Sequence, residues 1–560
     1  MSNKNNRFEI EDIQYNFSYN IKKKEIKIDF NRVAFIFFIL ILISIIFSIH
    51  LLHLGSRQSK EIEKYKNDLL LSELYRADIV DRNNNFLVKT VRSIDIGINP
   101  REIIDEKKLL LNLRYIFPEK NFDEVKKRID KNKFFNFEKK ISEENYEKLM
   151  KLGDKSIKPR ESITRLYPQK NLFSHILGQI DDDNIGISGL EKSFDENLKN
   201  RLEPLKLTVD TDIQFLIRKE LIKYNEIFKA KGSAAILMNI NSGDILAFTS
   251  LPDFDLNKRE QITDKNYINR VSKGVYEFGS VFKTFTIAAA IDENLIEPET
   301  EFKELPKTLM CAGFPIREYD QKISPNLTAE QILIKSGNIG SVKIGQKIGV
   351  DNFKSFLSKI GILEKIDFDI DEVGEPLEFN WGKCPLATAS FGHGITTTLI
   401  QLAKAYSIIA NGGYYIEPTL IQNNYKNKRK RILNDETSKK VLKILRKITE
   451  EGTAKQANVS GYEIGGKTGT ANKILNGKYV NKKVNTFVSV FPISKPQFVM
   501  AVMFDETAIN KDYVYNYRDG SGFKLKGTPR NTAGWTTVEA TGQIMDKIGP
   551  ILATKYLEVN

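Results

Sequence analysis

The chain contains few of the residues that build disulfide frameworks and metal sites. Among its 560 residues are two cysteines, four histidines and two tryptophans. Two cysteines, Cys311 and Cys384, exclude a disulfide framework and a cysteine-based metal site. One bridge between them remains possible in an oxidising compartment. Zinc-finger spacing and RNA-binding aromatic motifs are also missing, so we predict no metal site and no nucleic-acid partner.

Long repeats and low-complexity linkers are missing too, and the composition is that of a globular protein. Hydrophobic residues make up 41% and charged residues 28% of the chain. The length corresponds to roughly three to four domain-sized units. The net charge of +13 is spread over a sequence rich in Lys, Asn and Ile throughout, so it does not indicate a nucleic-acid surface.

One long hydrophobic run occurs, at residues 33–54, without Lys, Arg, Asp or Glu. A run of about 20 apolar residues can cross the hydrocarbon core of a bilayer. No small-residue cleavage site follows it, so we predict a membrane anchor rather than a secretory signal; a buried core helix is the alternative. A single span with a short leading tail places residues 1–32 in the cytoplasm and residues from about 55 outside the inner membrane. We then expect His50 and His53 to lie at the membrane–water interface and not to be metal ligands.

Three short motifs follow in a fixed order. S-x-x-K occupies residues 280–283, S-x-N begins 56 residues later at Ser336, and K-T-G begins 131 residues after that at Lys467. Each motif is weak alone, although K-T-G occurs only once. The ordered set of three resembles the motifs of penicillin-recognising serine acyltransferases.

The residues of these motifs can support nucleophilic catalysis. A serine hydroxyl needs a base, and Lys283 lies on the same helical face as Ser280 if both are helical. Lys283 can act as that base if burial or a nearby cation such as Lys467 lowers its pKa. A helix N-terminus at Ser280 would favour a developing oxyanion. Ser336 can relay a proton between Lys283 and a leaving amine.

The remaining motif residues are suited to holding a peptide. The Asn338 amide can hold a substrate peptide bond. The segment from Lys467 to Thr470 is predicted to be an edge strand, to which an extended peptide can add. Lys467 and Thr468 can bind a carboxylate, and Gly469 allows close approach of a substrate backbone.

The surrounding pattern indicates an α+β domain. Residues 234–249 predict a β-hairpin around an Asn-Ser-Gly-Asp turn. Strands are predicted near 486–491 and 498–504, followed by a helix near 537–552. Strands on both sides of a helical middle predict one domain whose sheet uses both of its ends.

With these motifs in place, the chain resembles the class B penicillin-binding proteins from Arg76 to about Leu552. The resemblance rests on the following segments: Arg76-Ala77-Asp78-Ile79-Val80-Asp81-Arg82-Asn83, Arg165-Leu166-Tyr167-Pro168, His175-Ile176-Leu177-Gly178, Gly189-Leu190-Glu191, Leu207-Thr208-Val209-Asp210 and Tyr276-Glu277-Phe278-Gly279-Ser280. The ending, with Phe491-Pro492 and Thr532-Ala533-Gly534-Trp535, is most similar to division transpeptidases of the FtsI type. Three positions depart from the family pattern: Ala77 and Gly337 replace a usual glycine and a frequent serine, and Phe278 replaces proline.

The resemblance implies a fold and a domain order. The expected fold is a penicillin-binding/serine β-lactamase-like transpeptidase domain, an antiparallel sheet flanked by helices, preceded by an extended mixed pedestal domain and one transmembrane helix. The expected boundaries are a cytoplasmic tail at 1–32, the transmembrane helix at 33–54, a dimerisation-type pedestal at 55–205 and the transpeptidase domain at 206–560.

The resemblance also implies an activity, a D,D-transpeptidase that forms a serine acyl-enzyme and releases D-alanine. Ser280 is the implied nucleophile, Lys283 the base and Ser336 the proton shuttle. Asn338 holds the acyl-side peptide, and Lys467 and Thr468 hold the terminal carboxylate beside Gly469. The backbone N–H groups of Ser280 and Thr470 form the oxyanion hole. No metal or cofactor is implied.

The implied partners are the D-Ala-D-Ala ends of peptidoglycan stem peptides, β-lactams, a SEDS-type membrane glycosyltransferase and other divisome proteins. The implied location is the bacterial inner membrane at the division septum, with the catalytic domain in the periplasm. Three alternatives remain open: an elongation-type transpeptidase of the same family, a β-lactamase or β-lactam sensor, and a non-catalytic divisome scaffold. A bifunctional synthase is disfavoured, because the pedestal shows no paired catalytic acids.

Overall fold

The protein is described by a computed structural model that covers residues 30–70, 75–181, 183–258, 265–422, 430–475 and 477–557. Most of the predicted cytoplasmic tail, residues 1–29, lies outside the described residues. The chain divides into two compact units, one up to Leu71 and one from Ser72 onward.

The first unit contains one long helix, α1 (Phe30–Leu70). Its segment Ala34–Leu54 has a mean hydropathy of 3.0 and no part of it is buried within the protein. A helix of this length with apolar side chains exposed on all sides fits a single-pass membrane anchor better than a soluble core helix.

The second unit begins with a mixed sheet and small helices. Its elements are β1 (Ile79–Val80), β2 (Phe86–Ile98), α2 (Glu106–Ile116), α3 (Phe122–Asp130), β3 (Phe135–Glu138), α4 (Glu143–Met150), β4 (Ile157–Leu166), α5 (Ser174–Leu177), α6 (Gly189–Ser193), α7 (Asp195–Lys199) and β5 (Leu205–Lys206). The long strands β2 and β4 pair antiparallel, and β1 pairs parallel with β5. Helices α2 to α4 pack their apolar faces on the far end of β2 and form a separate small core.

A buried ion network joins three of the segments that carried the pedestal resemblance. Arg76 and Arg165 each bind Glu191, with closest nitrogen–oxygen distances of 2.7 and 2.8 Å, and all three side chains are at most 2% exposed. Arg76 also pairs with Asp195 at 2.5 Å. One carboxylate thus fixes a loop, a strand and a helix that are distant in sequence.

The larger part of this unit combines a five-stranded sheet with a helical region. Its elements are α8 (Thr211–Phe228), β6 (Gly232–Asn239), β7 (Ile245–Leu251), β8 (Val275–Tyr276), α9 (Lys283–Asp292), β9 (Glu301–Phe302), β10 (Thr308–Cys311), β11 (Phe314–Arg317), β12 (Leu327–Thr328), α10 (Ala329–Lys335), α11 (Asn338–Ile348), α12 (Val350–Lys359), α13 (Lys383–Ala389), β13 (Thr397–Thr398), α14 (Leu399–Ala410), α15 (Asp435–Glu450), β14 (Gly465–Leu475), β15 (Lys478–Phe491), β16 (Phe498–Asp505), β17 (Val514–Asn516), β18 (Lys524–Lys526) and α16 (Thr537–Lys555).

The five-stranded sheet has the order β14-β15-β16-β6-β7, and all of its pairs are antiparallel. The predicted hairpin is β6–β7, and the predicted late strands are β15 and β16, so the sheet does use both ends of the domain. Side chains alternate between its faces. Ile236 and Met238 join a core with the helical region, whereas Ala235 and Leu237 join a second core with α8 and α16.

A small hairpin in the helical region is tied down covalently. Strands β10 and β11 pair antiparallel, and Cys311 at the end of β10 forms a disulfide with Cys384 in α13. The two Cα atoms lie 5.6 Å apart. The pairing that the sequence left open is therefore made, and it fixes β10–β11 beside the segment that carries Ser336 and Asn338.

Candidate active site

The three motifs meet at one cavity of about 920 Å³ between the edge strand β14 and the helical region. Five of the predicted site residues line it: Ser280, Ser336, Asn338, Thr468 and Thr470. The other three, Lys283, Lys467 and Gly469, lie behind this lining. The arrangement places hydroxyls and an amide at the cavity surface and the two amines in the protein interior.

Ser280 lies in a 3-10 turn, Gly279–Phe282, directly before α9. The sequence predicted that the helix begins at Ser280. In the structure α9 begins one turn later, at Lys283. Gly279 has φ +59°, and a Cβ there would lie 2.7 Å from the carbonyl oxygen of Thr470. Only glycine combines this conformation with such close approach, so Gly279 brings the turn of Ser280 against the backbone of β14.

Lys283 is fully buried and its amine is surrounded by oxygen atoms of the S-x-N motif. Its Nζ donates to the carbonyl oxygen of Ser336 at 2.5 Å and to Asn338 Oδ1 at 2.7 Å, and lies 3.2 Å from Ser336 Oγ. Burial lowers the pKa of Lys283 to about 7, although the charge of Glu318 opposes the shift. A lysine with this pKa is partly neutral at physiological pH and can accept a proton.

Lys467 is also fully buried and reaches the same hydroxyl from the opposite side. Its Nζ lies 3.0 Å from Ser336 Oγ and 3.1 Å from the carbonyl oxygen of Thr468. Burial, and secondarily the charge of Lys283, hold the pKa of Lys467 well below its usual range. Ser336 Oγ thus bridges two amines, and a hydroxyl can donate to a neutral amine while it accepts from a charged one.

Ser336 itself ends α10 in the left-handed region, with φ +56°. This conformation is strained for residues other than glycine, and such strain is concentrated at functional sites. The following Gly337 is not in that region, and a Cβ there would meet nothing closer than 3.6 Å. The serine that is frequent in the family at this position would therefore fit without a clash.

The amide of Asn338 is already engaged on both sides. Its Oδ1 accepts from Lys283, and its Nδ2 donates to the carbonyl oxygen of Arg317 at 2.8 Å. The two contacts fix the orientation of the amide. A substrate group that binds Asn338 must share these hydrogen bonds or displace one of them.

Along β14, Thr468 and Thr470 face the cavity whereas Lys467 and Gly469 face the interior. Thr470 Oγ1 donates to Asn485 Oδ1 at 3.0 Å and accepts from the N–H of Ala533 at 3.0 Å. A Cβ at Gly469 would lie 2.1 Å from the carbonyl oxygen of Phe278. The glycine is thus required by packing of β14 against the turn that carries the nucleophile.

The two other family departures are accommodated. Ala77 is fully buried, and among the described residues it is not one of those with positive φ, so the strain expected from replacing glycine does not arise. Phe278 is also fully buried, with φ −99°, at the start of the 3-10 turn. Its ring packs 5.9 Å from that of Tyr276.

Several further side chains line or support the cavity without having been predicted. Four of them contact one another: Glu277, Phe391, His393 and Tyr479. The lining also includes Lys455, Lys483, Arg530 and Trp535. Glu318 supports the S-x-N segment from β11. The Phe391-Gly392-His393-Gly394 sequence, with its alternating glycines, was the one local signal that could have indicated a tight loop there.

Two family models match the second unit in chain order. The family described as the penicillin binding protein transpeptidase domain matches residues 233–520, and the penicillin-binding protein dimerisation domain matches residues 72–220. Among solved structures, penicillin binding protein 3 from Mycobacterium tuberculosis has a similar fold, with a TM-score of 0.63 at 21% identity over 86% of this chain and 96% of that one. A second structure of that protein, complexed with aztreonam, matches equally well, with a TM-score of 0.63 at 22% identity over 85% of this chain and 96% of that one.

Curated relatives cover most of the chain. A protein of Caulobacter vibrioides named "Probable peptidoglycan D,D-transpeptidase FtsI" is 27% identical over 86% of this chain and 82% of its own length. A protein of Neisseria flavescens named "Probable peptidoglycan D,D-transpeptidase PenA" is 33% identical over 55% of this chain and 77% of its own. With both domains matched in order, the chain belongs to the class B penicillin-binding proteins.

Proposed function

We propose that the protein is a membrane-anchored peptidoglycan D,D-transpeptidase that works through an acyl-enzyme on Ser280. The observation that carries this proposal is the convergence of three motifs on one cavity, where Ser336 Oγ lies 3.2 Å from Lys283 Nζ and 3.0 Å from Lys467 Nζ. Ser280 lines this cavity together with Ser336, whose hydroxyl contacts a buried, partly neutral amine and can relay a proton. Acyl transfer requires a nucleophile, a base and a proton relay in one place.

In the first half-reaction, Ser280 Oγ attacks the carbonyl carbon between the two terminal D-alanines of a donor stem. Neutral Lys283 takes the hydroxyl proton, and the C–N bond then breaks. The departing amine of D-alanine receives a proton through Ser336. The backbone N–H groups of Ser280 and Thr470 stabilise the oxyanion, as preorganised donors do in other acyl transfers.

In the second half-reaction, a primary amine of a neighbouring stem attacks the ester carbonyl. The new amide bond forms as the ester C–O bond breaks, and the proton lost by the amine returns to Ser280 Oγ through Lys283 and Ser336. The acyl-enzyme survives until the acceptor amine arrives only if water attacks the same ester slowly. A β-lactam would stop the reaction after the first step. Its leaving nitrogen stays bonded to the acyl group after the ring opens, so the acceptor amine cannot take its place.

For the terminal carboxylate of the donor we assign Thr468, with Lys467 acting from behind it. Lys467 is buried and its amine contacts Ser336 and the carbonyl of Thr468, so it makes no direct contact with the cavity in the substrate-free protein and supplies positive potential only when it is protonated. Lys455, which lines the cavity two residues after the Thr453 hydroxyl that contacts Thr468, adds cationic charge there.

Acylation can be tested by labelling the full chain in detergent with a fluorescent penicillin. Wild type and Ser280→Ala are compared, and the label is chased for an hour. We expect a stable band from wild type and no band from the variant. A band that disappears within seconds would indicate a β-lactamase, and no band from folded wild type would favour a scaffold.

We further propose that the protein acts at the division septum beside a SEDS-type glycosyltransferase, with its N-terminus in the cytoplasm and its catalytic domain in the periplasm. Support comes from the FtsI-named relative and from the apolar helix Ala34–Leu54. Depletion in the encoding bacterium tests this: filamentation supports a septal role, whereas loss of rod shape or width control supports the elongation alternative.

A further inference from the structure

One end of the cavity is formed by a carboxylate surrounded by aromatic rings. We call Glu277, Phe391, His393 and Tyr479 the acidic wall. Glu277 is 6% exposed at its side chain, yet it lines the cavity. The rings of His393 and Tyr479 stack at 4.7 Å, and that of Phe391 stacks on the other side of His393 at 6.0 Å. None of these side chains has a role in the acyl-transfer steps derived above.

The acidic wall is held in a defined geometry. Glu277 Oε1 accepts from the hydroxyl of Tyr479 at 2.8 Å, and Oε2 accepts from the N–H of Gly394 at 3.1 Å. His393 Nδ1 lies 3.8 Å from Oε2. A carboxylate has about four acceptor positions, so these contacts orient Glu277 and leave capacity for a further donor from the cavity.

The register of β14 shows which part of a donor peptide would reach this wall. The terminal carboxylate lies at Thr468 and the reacting carbonyl at Thr470, so an added peptide runs antiparallel to β14 and its earlier residues lie toward Ile474. Ile474 pairs with Tyr479 of the acidic wall. At roughly 3.4 Å per residue, the four steps from Thr470 to Ile474 span about 14 Å, within reach of a long side chain just before the reacting residue.

The charged groups that line the cavity differ between its two ends. Lys455 lies two residues after Thr453, whose hydroxyl contacts that of Thr468, whereas the carboxylate of Glu277 lies at the acidic wall. A carboxylate among stacked aromatic rings is suited to an ammonium group, through charge and, at an exposed ring face, cation–π attraction. The donor should therefore be anionic at its terminus and cationic a few residues before it.

The reaction itself supplies such a cation. Cross-linking needs an acceptor stem with a primary amine, and donor and acceptor stems are copies of the same unit. An uncross-linked donor therefore carries the same amine. Resting on the proposed transpeptidase function, we propose that Glu277, with His393 and Tyr479, binds the ammonium group of the amine-bearing residue that precedes D-Ala-D-Ala in the donor stem.

The test uses two synthetic penicillins that acylate Ser280 and mimic the donor. One has a 6-acyl side chain that ends in a primary ammonium at the distance of a lysine side chain, and the other is its N-acetyl derivative. Second-order acylation rate constants are measured for the full chain in detergent. We expect wild type to prefer the ammonium compound by about tenfold and Glu277→Gln to lose most of this preference.

The control variant is Glu301→Gln, which removes an exposed carboxylate paired with Lys303 outside the cavity. It should keep the wild-type preference. Equal rates for the two compounds in wild type would overturn the proposal even if Glu277→Gln did not fold, and so would an unchanged preference in folded Glu277→Gln. Failure of both compounds to acylate wild type would instead overturn the proposed function.

Discussion

The carboxylate of Glu318 caps the helix that begins at Asn338. Glu318 Oε2 accepts from the backbone N–H of Asn338 at 2.6 Å, and Oε1 accepts from that of Ile339 at 2.8 Å. These are two of the N–H groups that a helix cannot satisfy internally. Since the neighbouring Arg317 carbonyl holds the Asn338 amide, the end of β11 fixes both the backbone and the side chain of Asn338.

Replacing Glu318 should therefore affect catalysis through position and charge. In Glu318→Gln the shape is kept but the negative charge that raises the pKa of Lys283 is lost. The pKa of Lys283 should fall further, and the acidic limb of the acylation rate against pH should move to lower pH. Glu318→Ala also loses the cap, which is worth about 0.5–2 kcal/mol, and should slow acylation at every pH.

Asp320→Asn, on the same loop, is the control for Glu318. Its side chain accepts from the backbone N–H of Lys322 and is not among the charges that shift Lys283. Asp320→Asn should leave the dependence of the acylation rate on pH unchanged. An acidic limb that does not move in Glu318→Gln would show that Glu318 acts on the helix alone.

The wild-type pH dependence follows from the lowered pKa of Lys283. Only the neutral amine can take the proton of Ser280, and its fraction rises with pH. With a pKa of about 7, acylation by benzylpenicillin should increase with pH through about 7 and level off above it. Lys283→Arg, which stays protonated, should lose acylation at all pH values. A rate that is flat from pH 5 to 9 would remove Lys283 as the base.

The disulfide should support the site as well as the fold. Cys311–Cys384 closes a separation of 73 residues and ties β10–β11 to α13. Disulfides typically contribute about 2–4 kcal/mol. We expect Cys311→Ser/Cys384→Ser to unfold at lower temperature and to acylate more slowly, because Glu318 and Arg317 lose their anchored position.

Reductant provides the matched comparison for the disulfide. Treated wild type should behave as the double variant does, and the double variant should not respond to reductant. If acylation by the double variant equals that of oxidised wild type, the hairpin does not depend on the bridge to hold Asn338.

Local sequence was sufficient for the parts of the site that lie within single elements. The turn at Gly243 correctly predicted the β6–β7 hairpin, and the ordered motifs correctly predicted that the two serines, the two amines and the edge strand come together. Alternation along a strand could also have placed Lys467 and Gly469 opposite to Thr468 and Thr470. Glu318, His393 and Tyr479 could not be found in this way, because they reach the cavity from loops and strands whose approach is set by tertiary packing.

In the N-terminal part of the second unit, the free energy of unfolding should be most sensitive to substitutions in the ion network around Glu191. Glu191 is the shared partner of Arg76 and Arg165, and its side chain is 0% exposed. Glu191→Gln removes the charge that two buried guanidinium groups share, and Asp195 then remains as a partner of Arg76. Removing one partner of a buried ion pair typically costs about 3–5 kcal/mol, so the free energy of unfolding measured in urea should fall by about that amount.

The control is Glu196→Gln, which changes an exposed residue in the next helix, α7. It should alter the free energy of unfolding by less than about 0.5 kcal/mol. Equal effects of the two substitutions would mean that packing around Arg76, rather than its ion pair, holds these segments together.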